Sequence, residues 1–325
     1  MIKFQRNDYF PHKDVIDLKS LFLLLNNFIL DYKLVDNFKI KNVSSLDAIY
    51  DESILFTNQP LTPELGKFNI VIITNNKLNL DESFKNIFLV KDLNKAYNDV
   101  VNALYHHEDS LSYLDSFINQ DGSYISKYSF IDKSTNIGKN CVIGRGVKIG
   151  KNSIIKNNVV IKNSIIGSNV IICDNSSIGT TGFGFDFKTR GSMNLNPQIG
   201  IVYIGDNCHI GSCCTIDRGK IDVTYIGNNC MIDNQVHIAH NVILSDNACI
   251  AAQTGIAGSV KIGTNVTVGG QVGLAGHITI GNNVIIAAKS GVTKNINDNS
   301  FIAGFPATDI KKWKKKIIKE RRNGH

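Results

Sequence analysis

An aliphatic residue returns at every sixth position from Ile226 to Val292, and this period constrains the fold more than any other feature of the chain. A helix repeats every 3.6 residues and a two-sided strand every two, so neither explains a period of six. A hexapeptide β-helix does, with three hexads in each triangular coil and the aliphatic side chains pointing to the axis. Glycine often follows the aliphatic residue, which we attribute to the bend at each corner. The twelve positions are Ile226, Ile232, Ile238, Leu244, Ile250, Ile256, Ile262, Val268, Leu274, Ile280, Ile286 and Val292.

The same period occurs earlier in the chain, from Ile131 to Ile161. The register slips by one residue at Ile166 and resumes at Ile172. Two interruptions, 179–203 and 217–224, precede the long regular run. Insertions in a solenoid emerge as loops on one face, and that face often carries the functional site. Residues 121–307 are therefore predicted to form one parallel β-helix that rises about 4.8 Å per coil.

The segments on either side of the repeats have different patterns. Residues 1–120 predict a small α/β domain, with helices over 15–34 and 91–106 and strands near 54–56, 70–74 and 87–90. Residues 308–325 predict a short basic C-terminal helix. The predicted fold class is thus β, a hexapeptide-repeat β-helix with an N-terminal α/β domain and a C-terminal helix.

Composition and charge limit the classes of function. The chain is 43% hydrophobic and 19% charged, which is typical of a globular protein with an ample core. No apolar run approaches the ~18–20 residues of a membrane span, and no secretory signal is evident, so we expect no stable membrane insertion. The seven cysteines include no C-x-x-C pair and fit core filling in a reducing cytoplasm. The net charge of +7 is concentrated at the C-terminus without a nucleic-acid motif. That basic end is either a solvated helix or a docking surface for an acidic partner.

Two histidines in the long run are candidates for chemistry. His240 and His277 are 37 residues apart, two coils plus one, so they are predicted to share one edge about 10 Å apart. A third metal ligand would fall on Asn282, which suits zinc poorly, so no metal site is predicted. A histidine held by a carboxylate can instead act as a general base. Asp233, seven residues before His240, is placed on the adjoining edge or against a neighbouring chain. For an isolated histidine of this kind, the alternative is a solvated side chain without a role.

Several segments together resemble the family of UDP-3-O-acylglucosamine N-acyltransferases of lipid A biosynthesis. The most specific is IDNQVHIAHN over 232–241, supported by GFG over 182–184 and PQIG over 197–200. TIDRG over 215–219 also fits, and AGH over 275–277 fits the second histidine of the family. The resemblance extends over nearly the whole chain.

The resemblance implies a left-handed β-helix, a homotrimer with sites between subunits, and a cytoplasmic enzyme of a Gram-negative-type bacterium. It also implies transfer of an R-3-hydroxyacyl chain from acyl carrier protein to the 2-amino group of UDP-3-O-acylglucosamine. His240 matches the general base and Asp233 its carboxylate partner. Gly258 matches a backbone donor to the oxyanion, and His277 lies near the reacting centre. No cofactor is implied, because the 4′-phosphopantetheine arrives on the carrier protein.

The resemblance also assigns residues to substrates and leaves some features open. The substrate-binding positions match Phe56, Asn58, Asn234, Gly276 and Gly291, and a carrier-protein position matches Lys294. The tyrosine that usually follows the uridine-binding pair is missing. Thr181 replaces a usual aspartate, His237 a usual glutamine, and Gly291 a methionine that ends the acyl groove in some relatives. The acyl length, the uridine contacts and the subunit that supplies each residue are not given by the sequence.

Two other functions remain possible at this point. One is the sister O-acyltransferase acting on UDP-N-acetylglucosamine, which begins directly with repeats and carries its helical domain at the C-terminus. The long leader before the repeats argues against it. The other is a solenoid scaffold without catalytic activity.

Overall fold

The computed structural model describes residues 2, 4–13, 16–77, 83–106, 116–120, 122–185, 195–304 and 310–322. An α/β unit comes first, a three-faced β-helix follows, and a helix, α4 (Ile310–Arg322), comes last. No helix within these residues has both the length and the apolar character needed to span a membrane.

The N-terminal unit is built on a sheet of five described strands in the order β2-β7-β6-β5-β4, in which only the β2–β7 pair is antiparallel. A small pair, β1 with β3, lies beside it. Its helices are α1 (Arg6–Tyr9), α2 (Leu18–Leu25), the 3-10 helix Pro63–Lys67 and α3 (Leu93–Leu104). Its strands are β1 (Ile16–Asp17), β2 (Ile29–Leu34), β3 (Lys39–Ile40), β4 (Asn42–Ser44), β5 (Ser53–Thr57), β6 (Ile70–Thr74) and β7 (Asn86–Val90).

The helix predicted over 15–34 is wrong. Residues 18–25 form α2, whose first turn is capped by Asp17 through a 2.8 Å hydrogen bond from the N–H of Ser20. Residues 29–34 form the edge strand β2, because pairing with β7 satisfies their backbone and overrides the helical spacing of the apolar residues. The other predicted strands and the helix over 91–106 are confirmed as β5, β6, β7 and α3.

Three parallel sheets form the faces of the β-helix. The first face contains β10 (Phe130–Ile131), β13 (Lys148–Ile149), β16 (Ser164–Ile166), β19 (Ile201–Ile204), β22 (Val223–Ile226), β25 (Ile243–Leu244), β28 (Lys261–Ile262) and β31 (Thr279–Ile280). The second face contains β11 (Asn136–Ile137), β14 (Ile154–Ile155), β17 (Ile171–Ile172), β20 (His209–Ile210), β23 (Met231–Ile232), β26 (Cys249–Ile250), β29 (Thr267–Val268), β32 (Ile285–Ile286) and β34 (Phe301–Ile302).

The third face carries the site described below. It contains β8 (Phe117–Gln120), β9 (Ser123–Ser126), β12 (Val142–Ile143), β15 (Val160–Ile161), β18 (Ser177–Thr180), β21 (Thr215–Asp217), β24 (His237–Ile238), β27 (Gly255–Ile256), β30 (Gly273–Leu274) and β33 (Gly291–Val292). Its strands are parallel except for β8, which pairs antiparallel with β9 at the N-terminal end.

The six-residue period is confirmed as the interior of the β-helix. All twelve aliphatic side chains from Ile226 to Val292 are buried. Pairing runs between residues 18 apart, such as Ile232 with Ile250, so three hexads make one coil. Four cysteines (Cys141, Cys208, Cys214 and Cys230) are also buried, whereas Cys213 and Cys249 are exposed. Core filling therefore accounts for only part of the cysteine content.

The glycines that follow the aliphatic residues do not make the bends at the corners, contrary to the expectation from the sequence. Gly263, which follows Ile262, lies outside the left-handed region, and a methyl group added there would come within 2.6 Å of the Asn282 side chain in the next coil. Glycine at this position therefore permits close approach between coils. The bend falls two residues later, at Asn265, whose φ is 57°. Its side chain donates to Asn283 Oδ1 at 3.0 Å, one step of a ladder along the edge.

The α/β unit packs directly on the β-helix. The Arg6 side chain, 2% exposed, donates to the carbonyls of Ile199 and Ile221, one in each interruption of the repeats. Ile199 and Ile201 are members of the hydrophobic core of the α/β unit. The division of the chain at residues 120 and 307 stays a prediction, since the two parts share a core.

Candidate active site

A groove of about 570 Å³ lies along the third face. His237, Ala239 and His240 border one end of it, and Val292 and Thr293 border the other. Its lining is mostly apolar, with Phe183, Ala257 and Ala275 among the residues.

Glycines form the floor of this groove. Gly255, Gly273 and Gly291 occupy the same register in successive strands, in line with His237 of β24. A methyl group added at any of the three would meet no atom within 4 Å. This glycine lane is therefore a strip without side chains that extends about 10 Å from Gly255 to Gly291 at the usual spacing between strands. It is shaped to receive an extended apolar chain.

His240 lies at the edge between the third and first faces, and its tautomer is fixed by its neighbour. The Nδ1 atom is 3.2 Å from Asn241 Oδ1. That oxygen also accepts the backbone N–H of Lys220 at 2.9 Å, so it acts as an acceptor and Nδ1 must carry the proton. In the neutral ring Nε2 therefore carries the lone pair that a general base requires. The sequence reasoning missed Asn241 as a site residue.

The ring of His240 lies against the backbone of Gly258. A methyl group added to Gly258 would lie 2.8 Å from Cε1 and 2.9 Å from Nε2 of His240, so glycine is required here. Within the described residues, the N–H of Gly258 has no hydrogen-bond partner, whereas the N–H of Thr264 at the next corner donates to Asn282 Oδ1. A backbone donor beside Nε2 is placed to hold a developing oxyanion.

Gly276 and His277 continue the same edge one coil further on. The N–H of His277 donates to the carbonyl of Gly258 at 3.1 Å, and His277 is exposed, with a φ of 62°. A methyl group added at Gly276 would lie 3.3 Å from that carbonyl oxygen. The predicted placement of both histidines on one edge is confirmed, and the role of His277 stays a prediction.

Asp233 and Asn234 lie on another edge, between the second and third faces. The Asp233 carboxylate accepts the N–H of Asn234 at 2.7 Å and the N–H of Ala252 at 3.2 Å. Both residues border a separate groove of about 350 Å³ on the second face, with Cys249. Within one chain the structure therefore does not bring Asp233 to the groove of His240. The sequence had allowed this placement.

The carboxylate that does line the groove of His240 is Asp217, which the sequence reasoning left without a role. It is 6% exposed, and its Oδ2 lies 3.7 Å from Nε2 of His237. Burial raises the pKa of Asp217, while His237, the Thr180 hydroxyl and His240 act in the opposite direction. The six-residue period could not place Asp217 near His237. Thr215 pairs with His237, and this coil has 22 residues instead of the regular 18.

The remaining predicted site residues lie outside this groove. Phe56 is half-buried and packs edge-on against Tyr97 at 5.2 Å, and Asn58 is exposed at the end of β5. Lys294 is exposed just beyond β33. The uridine and carrier-protein assignments stay predictions. Among the described residues, no cluster of three or more His, Cys, Asp or Glu side chains could hold a metal ion.

Comparisons with known families match three segments of this chain. The family described as bacterial transferase hexapeptide (six repeats) matches residues 224–258, and the hexapeptide repeat of succinyl-transferase matches 259–294. The GMPPB C-terminal domain matches residues 125–189. All three matches fall within the β-helix.

Two solved structures are similar over most of their length. LpxA from Acinetobacter baumannii is 29% identical, with a TM-score of 0.51, over 63% of this chain and 77% of that one. The UDP-N-acetylglucosamine acyltransferase of Francisella novicida is 28% identical, with a TM-score of 0.52, over 61% of this chain and 72% of that one. The repeats, the three-faced β-helix and these similarities together show an acyltransferase with hexapeptide repeats and an LpxA-like left-handed β-helical fold.

Proposed function

We propose that the chain transfers an R-3-hydroxyacyl group from acyl carrier protein to the 2-amino group of UDP-3-O-(3-hydroxyacyl)-glucosamine. The product would be the UDP-2,3-diacylglucosamine of lipid A biosynthesis. One observation carries this proposal: Asn241 fixes the proton of His240 on Nδ1, so that Nε2 of the neutral ring faces the backbone of Gly258 beside the glycine lane. The sequence resemblance over 232–241 supplies the substrate class.

The geometry supports a direct acyl transfer. The sugar amine attacks the thioester carbon, and Nε2 of His240 removes a proton from the nitrogen as the C–N bond forms. The carbonyl oxygen becomes an oxyanion that accepts the N–H of Gly258, an interaction worth about 3 kcal/mol in comparable enzymes. The C–S bond then breaks, and the imidazolium of His240 returns the proton to the departing thiolate. The acyl tail lies along the glycine lane.

The site is completed between subunits in this proposal. His240 and Asp233 line different grooves on different faces of one chain. A homotrimer would place the second-face groove of one subunit against the third-face groove of its neighbour. Asp233 and Asn234 would then reach the acyl group bound beside the neighbouring His240.

The acyl donor is proposed to be an acidic carrier protein. Helix α4 exposes a set of cations, and Lys294 is exposed near the far end of the lane. Positive surface of this kind accelerates and orients the docking of an acidic partner. The exposed cations of α4 are Lys314, Lys315, Lys316, Lys319 and Arg322.

A second candidate is acyl transfer to UDP-N-acetylglucosamine, because the Francisella novicida relative is named for that substrate. The α/β unit packed on the β-helix through Arg6 favours the first candidate, since the sister enzyme begins directly with repeats.

One assay separates the two candidates. The purified protein is given acyl carrier protein charged with a 3-hydroxyacyl thioester, together with either the free-amine UDP sugar or its acetylated counterpart. Transfer only to the amine supports the proposal. Transfer only to the acetylated sugar supports the second candidate, and transfer to neither contradicts both.

Replacing the proposed base gives the first prediction. We expect His240→Ala to lower kcat by about 10²- to 10⁴-fold, because the amine loses its proton acceptor. The circular dichroism spectrum should stay unchanged, since the side chain is outside the interior. His106→Ala, in the α/β unit, is the control and should retain activity. Turnover near the wild-type rate in His240→Ala would refute the assignment.

A further inference from the structure

The end of the groove that His237 and His240 border also contains the carboxylate of Asp217. Asp217 and His237 lie 3.7 Å apart, and both line the groove with His240. Asp217 is held from the other side by the hydroxyl of Thr180, which donates to Oδ1 at 3.4 Å. The mechanism above uses neither Asp217 nor His237.

His237 is able to exist in either charge state at this place. Its Nδ1 lies 2.7 Å from the hydroxyl of Thr215. A hydroxyl can donate or accept, so this contact survives whether or not Nδ1 carries a proton. The side chain is 48% exposed, so water can deliver the proton, and Nε2 then points a charge at Asp217.

The other charges around Asp217 are constant. Arg218 is buried, and its Nε donates to the carbonyl of Gln198 at 2.8 Å while Nη1 donates to that of Gly179 at 3.1 Å. Arginine stays protonated at all working pH values. The variable charges near Asp217 are therefore those of His237 and His240.

We infer that Asp217 is a positioning residue that stabilises the imidazolium of His240, and that His237 competes with His240 for the negative charge of Asp217. This inference rests on the proposed function. An imidazolium that forms in a mostly apolar groove needs an opposite charge. Within one chain, Asp217 lines the groove in which that charge forms, whereas Asp233 lines another groove.

The two residues should shift the protonation of His240 in opposite directions. Asp217→Asn removes the negative charge, so His240 should become protonated only at lower pH. His237→Gln removes a competing positive charge, so His240 should become protonated at higher pH. The acidic limb of the kcat/KM profile should thus shift to lower pH in Asp217→Asn and to higher pH in His237→Gln, each by about one pH unit. The kcat of Asp217→Asn should also fall at least tenfold.

The experiment measures this protonation in two ways. The pH profile of kcat/KM is recorded for the wild type, both variants and Asp246→Asn, a corner carboxylate on another edge that should leave the profile unchanged. In parallel, the rate at which diethyl pyrocarbonate modifies His240 is followed against pH by mass spectrometry of the ligand-free protein. This second readout does not depend on activity.

Each outcome decides the inference. Opposite shifts of the two variants support it, and profiles that coincide with the wild type or move in the same direction overturn it. Should Asp217→Asn fail to fold, the exposed His237→Gln variant decides alone. A wild-type protein without transferase activity would contradict the proposed function, while the modification rates of His240 would still test the effect of Asp217.

Discussion

At the scale of single residues, Gly258 serves the proposed reaction because it has no side chain. The absence of a side chain lets the His240 ring rest on its backbone, 2.8 Å from where a Cβ would lie. The same backbone offers an unoccupied N–H within the described part of the edge. In the proposed reaction, this one glycine both sets the position of the base and supplies the oxyanion donor.

Substitution of this glycine is the second prediction. We expect Gly258→Ala to lower kcat by about 10²- to 10³-fold, because the new methyl group displaces the imidazole from the oxyanion donor. Steady-state kinetics would measure the loss. Gly304→Ala is the matched control, since an added methyl group meets no atom within 4 Å there. Equal activities of the two variants would contradict the proposed geometry.

Residues that follow the six-residue count were predictable, and those outside it were not. Gly258 is 18 residues after His240, so counting places it one coil above, and the structure confirms the contact. Asn241 fixes the tautomer only because Lys220, in an interruption of the repeats, donates to its side chain. No pattern in the sequence gives that contact.

At the scale of elements, the corners rather than the strands set the shape of each coil. The strands of the regular run are two residues long, whereas each turn carries one residue in the left-handed region. Asn247 is one of these, with a φ of 60°. It accepts from Asn229 at 3.1 Å and donates to Asn265 at 3.1 Å, so its side chain links three coils.

The third prediction separates strain from hydrogen bonding at this corner. Both Asn247→Ala and Asn247→Gly lose the two side-chain hydrogen bonds, but only glycine adopts the left-handed conformation freely. We expect the free energy of unfolding to fall by about 1 kcal/mol more for alanine than for glycine. Urea unfolding would measure the difference. An alanine variant as stable as the glycine variant would contradict this account of the corners.

The glycine lane gives the fourth prediction. Gly291 of β33 is the last glycine of the lane. A side chain added there meets no neighbouring atom and would project into the groove. We expect Gly291→Met to shift the preference towards shorter acyl donors, and a series of carrier-protein thioesters of increasing length would reveal it. Ile285→Met, an exposed position on the second face, is the control. An unchanged preference in Gly291→Met would refute the role of the lane.

Element assignment from sequence succeeded where one period dominated. The aliphatic side chain of every hexad from Ile226 to Val292 is buried in the interior, as predicted. The prediction for 15–34 was wrong because its apolar residues suited a helix locally, while pairing with the distant β7 made residues 29–34 the strand β2. Such pairing depends on residues more than 50 positions away along the chain.

At the scale of the whole molecule, the chain carries two grooves on different faces of the β-helix. His240 and Gly258 line the third-face groove, and Asp233 and Asn234 line the second-face groove. The six-residue period predicted the edges, but the period alone says nothing about how three chains would meet. The period also did not predict that Arg6 would contact both interruptions of the repeats, through the carbonyls of Ile199 and Ile221.

Mixing variants tests the proposed assembly and is the fifth prediction. His240→Ala and Asp233→Asn should each be strongly impaired alone. In trimers that contain both variants, about one site in three should recover activity, because one of the three interfaces combines an intact His240 with an intact Asp233. Purification through two different tags would isolate the mixed species. No recovery in that fraction would contradict a site shared between subunits.

The stacking of the coils has a consequence for how the enzyme responds to heat. Along the regular run each strand pairs only with its counterparts one coil before and one coil after, so melting can begin at an end and advance inward. Strand β33, which bears Gly291, is the last strand of the third face. Warming would therefore loosen the distal end of the lane while the base and its glycine remain ordered, and discrimination between acyl lengths would decline before turnover does.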